Sequence, residues 1–104
     1  MSHIERKEYY MNKKDNFIKF LKSLPPFISD QNCCPRIQKL IDVWTVKSYS
    51  DMEHLAHTKL KPAMLMGPET VTHLLLAHYG IDKHQFSAAD YDKFKRYLEL
   101  FTTI

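Results

Sequence analysis

The chain has 104 residues, a length that one domain fills, and 44% of them are hydrophobic, too many for a disordered chain. Two glycines and five prolines argue against an all-β fold built on tight glycine turns, and no apolar run approaches the roughly 20 residues of a membrane span. The net charge is +3, and all of the excess lies in residues 1–24, because the nine basic and nine acidic residues beyond them cancel.

The first eleven residues are charged and aromatic without a clean period, and either fray or extend the helix that follows. From residue 12 onward Phe17, Phe20, Leu21 and Leu24 recur at helical spacing, with Lys13, Lys14, Lys19 and Lys22 mainly off that stripe. Pro25 and Pro26 end this helix, since a residue before proline avoids helical backbone angles. Residues 27–33 read as a loop with the turn formers Ser29, Asp30 and Asn32.

Pro35 opens a second helix as its first residue, and Ile37, Leu40, Ile41 and Trp44 line its core side. Its end, with Val43, Thr45 and Val46, is β-branched and weaker as helix. Ser50-Asp51-Met52-Glu53 matches the capping-box pattern and predicts a short third helix. Met52, Leu55 and Ala56 form its apolar side, and it is expected to stop before Pro62.

The fourth helix opens at Gly67-Pro68, with Glu69 in its first turn complementing the helix dipole. Val71, Leu74, Leu75 and His78 predict its buried face, which Leu76 and Tyr79 widen. Gly80 stops it, with Ile81 and Leu76 placed for a Schellman ending. Ser87 caps the fifth helix, with Asp90 three residues on and Phe86 and Tyr91 at the positions of a hydrophobic staple. Tyr91, Phe94, Leu98 and Phe101 are its stripe, opposite Asp92, Lys93, Lys95, Arg96 and Glu99. The loop 80–86 is short enough to fold the two helices back on each other, and too long for a helix-turn-helix.

These signals predict an all-α fold: a small single-domain bundle of about five short helices (12–24, 35–47, 51–59, 68–79 and 88–101), with the C-terminal helical hairpin at its centre. The N-terminus lacks the apolar core of a signal peptide, and adjacent cysteines rarely form a structural disulfide. A cytoplasmic protein is therefore expected.

Glycine-rich phosphate loops, dinucleotide fingerprints and nucleophile elbows are absent from the sequence. Glu53, His54 and His57 fall close together and combine carboxylate with imidazole, a ligand set that suits zinc or iron, but no second cluster at ligand spacing completes the site. His73 and His78 lie five apart and cannot share a metal from one helix. Cys33 and Cys34 precede a helix N-terminus, where the dipole lowers a thiol pKa, and a catalytic role would need a histidine brought close by the fold. Lys13, Lys14, Lys19 and Lys22 give the first helix a basic face that suits nucleic-acid phosphates. Tyr49, Met52, Met64 and Met66 make an adaptable apolar set of the kind that partner proteins use. The reading that follows is a non-catalytic accessory or regulatory protein, without cofactor, acting through a protein partner or a second copy of itself. The alternatives are nucleic-acid binding by the lysines and metal chemistry at Glu53, His54 and His57.

Overall fold

The computed structural model describes residues 2–24 and 33–103, and the side chains among them other than those of Cys33, Cys34 and Gln85. The expected stop at Pro25-Pro26, the loop that follows and the two cysteine thiols lie outside what is described. The described chain is helical, in the order α1 (His3–Ser23), α2 (Cys33–Thr45), α3 (residues 49–64), α4 (Pro68–His78) and α5 (Ala88–Leu100). Among the described residues there is no strand.

Helix α1 reaches back to His3, so the N-terminal residues extend it. Ser2 is the cap, its hydroxyl accepting from the Glu5 amide at 3.1 Å. Tyr10, Lys14, Phe17 and Leu21 then fall on one buried stripe, joined by Ile18 and Phe20. Along that stripe α1 meets α2, α3 and α5.

Phe17 is the hub of the core. Its ring centre lies 4.9 Å from Trp44 of α2, 5.1 Å from Phe94 of α5 and 6.4 Å from Phe101 just beyond α5. The rings meet edge to face, the arrangement that aromatic quadrupoles favour. All four side chains are essentially inaccessible to solvent. Phe20 stacks on Tyr97 at 5.1 Å and extends the cluster along α5.

Helix α3 departs from the expected course in two ways. Its capping box uses Ser48 and Asp51 rather than Ser50 and Glu53, with each side chain bonded to the other residue's backbone amide. It also does not stop before Pro62. An α-helical stretch (Tyr49–Leu55) passes into one π-helical turn (Ala56–Leu60) and resumes as α-helix (Lys61–Met64). The Lys61 amide bonds to the Ala56 carbonyl, five residues back. Proline inside an α-helix lacks a donor and clashes with the carbonyl four residues earlier. A wider turn just ahead of Pro62 accommodates both problems, and the chain stays helical.

The hairpin of α4 and α5 forms with the expected punctuation. Gly67, at φ 109°, leads into Pro68. At the other end Gly80 adopts φ 69°, the Ile81 amide bonds to Leu76 O at 2.9 Å, and the Gly80 amide to Ala77 O at 3.0 Å. These two bonds define a Schellman ending. Ser87 caps α5 through the Asp90 amide at 3.1 Å. Phe86 packs its ring against Phe94 at 5.7 Å.

Glu69 in the first turn of α4 braces the pair. It accepts from the Tyr91 hydroxyl at 2.8 Å and lies 3.5 Å from Lys95 and 3.7 Å from Lys83. The Tyr91 bond, ahead of the lysines, holds the Glu69 carboxyl below its ordinary range. Burial first, and Glu69 second, push the Tyr91 phenol up to about 12.

Two outcomes follow. Truncating the hub with Phe17→Ala is expected to cost about 3–5 kcal/mol in chemical denaturation, a large part of a small domain's stability. The Glu69 brace stabilises the folded state above the ordinary carboxylate pKa, and that contribution disappears as pH falls through the lowered folded value. Thermal melts of the natural protein and Glu69→Gln should therefore differ at neutral pH and converge on acidification. A constant gap between the two down the acid limb would show that the carboxylate does not brace the hairpin.

Candidate functional site

The four residues expected to form a partner surface are dispersed. Met52 is completely buried, so as folded it presents nothing to a partner. Met64 packs against the core. Tyr49 is half-buried, its ring 5.9 Å from Tyr10 and its hydroxyl donating to the Glu53 carboxylate. Met66 alone of the four stands open to solvent, beside the still more exposed Leu65 in the turn between α3 and α4.

The lysines of α1 also separate. Lys19 and Lys22 are exposed, and Lys13 lies over the Tyr9 ring at 5.2 Å. Lys14 is only 5% exposed, because it occupies the core stripe between Tyr10 and Phe17. Its ammonium donates to Thr45 O at 3.1 Å and Lys47 O at 2.8 Å. Thr45 ends α2, where helical carbonyls lack intrahelical partners and the dipole favours a cation, and Lys47 lies two residues beyond it, just before the Ser48 cap of α3. Lys14 therefore serves as an internal helix cap and is withdrawn from any phosphate-binding face.

Glu53 faces Tyr49, whereas His54 and His57 are exposed on the solvent side of α3. Among the described residues no three His, Cys, Asp or Glu side chains are grouped so that they could hold a metal ion. His73 and His78 are exposed on α4. Near the start of α1, Arg6 Nε and the Tyr10 hydroxyl are buried without a hydrogen-bond partner among the described residues. Burial in the first place, and the Glu53 charge in the second, raise the Tyr10 phenol above its ordinary pKa.

The fold does create one apolar groove, of about 400 Å³, where α2 ends between α3 and α4. Trp44, Leu60 and Val71 are buried at its base. Val43 of α2, Leu55 and Ala63 of α3, and Leu75 and Tyr79 of α4 form its half-buried walls. Leu74, 54% exposed, stands on its lip. The lining also includes Lys47, Lys59 and His78, and no carboxylate. Next to Lys47 in the chain, the Ser48 backbone amide and hydroxyl lower the pKa of the Asp51 carboxyl, with the charge of Lys47 a smaller cause.

This groove corrects the face predicted for α4. Val71 is buried as expected, but its buried companions are Thr72 and Leu76, while Leu74 and His78 turn outward. Thr72 survives burial because its hydroxyl donates to Pro68 O at 2.7 Å. The apolar arc of α4, from Val71 through Leu74, Leu75 and Leu76 to Tyr79, is wider than one packing seam needs. That surplus was the sequence's signal for the groove. The π-turn contributes Lys59 and Leu60 from the other side.

No helix among the described residues is long and apolar enough to cross a membrane. Comparisons with protein-family models, with curated proteins and with solved structures return no match to this chain.

The cap made by Lys14 is testable apart from the groove. Lys14→Met keeps most of the length of the side chain and leaves the Thr45 and Lys47 carbonyls without this donor, an expected loss of about 1–3 kcal/mol by urea denaturation. Exposed Lys19→Ala should stay within about 0.5 kcal/mol of the natural protein.

Proposed function

We propose that this protein is a non-catalytic accessory or regulatory factor that works by binding a protein partner through the groove between α3 and α4. The observation that carries the reading is Leu74, a large apolar side chain left half in water on the lip of an apolar groove. A scattered exposed leucine needs no explanation, but one continuous with a concave apolar surface marks a contact site. A small-molecule pocket usually encloses most of its ligand, and this groove is open along its lip. Covering Leu74 calls for something broader, with its own apolar surface.

The exposed lysines on α1, which would serve nucleic acid, are reduced by the burial of Lys14. The net charge of +3 steers a polyanion only weakly. Protein binding is therefore the better supported of the two.

Leu74→Asp tests the reading. The residue is exposed enough for the substitution to leave the far-ultraviolet circular dichroism and melting temperature close to the natural values. Affinity capture from the native host, after nuclease treatment, should recover a protein with the natural chain and lose it with Leu74→Asp. The double variant Lys19→Glu, Lys22→Glu should keep it. Equal recovery by the natural chain and Leu74→Asp would overturn the groove, and loss of the captured protein on nuclease treatment would favour the nucleic-acid reading.

A further inference from the structure

We infer that the partner segment is an acidic amphipathic helix, an inference that rests on reading the groove as a protein-binding surface. Shape points to a helix. The groove runs between two helices, and α4, its shorter wall, has 11 residues and so spans about 16 Å. That length holds two to three turns of a third helix, which would seat apolar residues three or four apart between Leu55 and Leu75 and cover Leu74.

Charge selects its flanks. The groove's basic lining is Lys47, Lys59 and His78, and no carboxylate lies in the lining. The carbonyl ends of the two bordering helices do not offset this, because each already has its own cation. Lys14 caps α2, and the Arg36 guanidinium donates to Gly80 O beyond α4. Lys47 is half-buried. Lys59, exposed on the π-turn, is therefore the main charge facing an incoming carboxylate. A second copy of this chain fits less well, because it brings the same net charge of +3 toward a basic rim.

The test uses peptides of about four helical turns. One carries leucines at helical spacing flanked by glutamates, and its twin replaces every glutamate with lysine. Trp44 lies in the groove and reports occupancy by its fluorescence, with titration calorimetry as the second readout. The glutamate peptide should bind at least about tenfold more tightly than its twin, a gap that narrows as salt rises. Leu74→Asp should abolish binding of the glutamate peptide. Lys59→Glu should weaken it several-fold and improve binding of the lysine twin.

Equal binding of both peptides, or preference for the lysine twin, overturns the acidic partner. If neither peptide binds while Leu74→Asp still loses the captured host protein, the acidic helix is wrong and the groove remains a protein site. If dodecanoate occupies the groove with Leu74 dependence and the glutamate peptide does not, the partner is a small anionic amphiphile and the inference falls. Concentration-dependent dimers in sedimentation that Leu74→Asp dissolves would assign the groove to a second copy and overturn it as well.

Discussion

Everything in this fold depends on the edge-to-face packing of Phe17 against Trp44, Phe94 and Phe101. Those rings come from α1, α2, α5 and the turn just beyond α5, so one residue joins elements distant in sequence. Aromatic rings remove much apolar area from water per residue ordered, which suits a chain with little core to spend. The hub also fixes the end of α2. Trp44 lies in the core with Phe17 and at the base of the groove at once, so the groove's floor is part of the hydrophobic core.

Two cations tie helices together, Lys14 from within and Arg36 at the surface. Lys14 reaches from α1 to the end of α2, and Arg36 reaches from α2 to the glycine that ends α4. Each donates to backbone carbonyls at or just beyond a helix end, and each ties one helix to the end of another. A long aliphatic stem lets lysine cross an apolar stripe and deliver its charge at the far side. The net charge therefore misstates the surface, since part of it is spent holding helix ends.

Pro62 and the π-turn before it set the shape of α3. Had the helix ended where proline normally ends one, Ala63 and the turn into α4 would have lain elsewhere. The π-turn buries Ala56 and Leu60 and carries Lys59 to the groove's rim, and continuing past proline brings Ala63 into the groove's wall. The same local accommodation thus serves packing and exposes the charge that the proposed partner would meet.

The sequence by itself determined the all-α class, the hairpin and its punctuation. These rest on neighbours in the chain: Gly80 can take a positive φ, Pro68 needs no donor, and Ser87 reaches an amide three residues on. Most of the core was legible too, because Phe17, Leu40, Trp44, Phe94 and Leu98 recur at the helical period. What only the tertiary structure decided is which apolar residues stay uncovered. Met52 and Leu74 look alike in sequence, yet one is sealed and the other half open. Lys14 looks like a solvent lysine until α2's end is placed beside it. Burial is a property of what packs opposite, and a single helix's periodicity gives the face without saying what, if anything, will cover it.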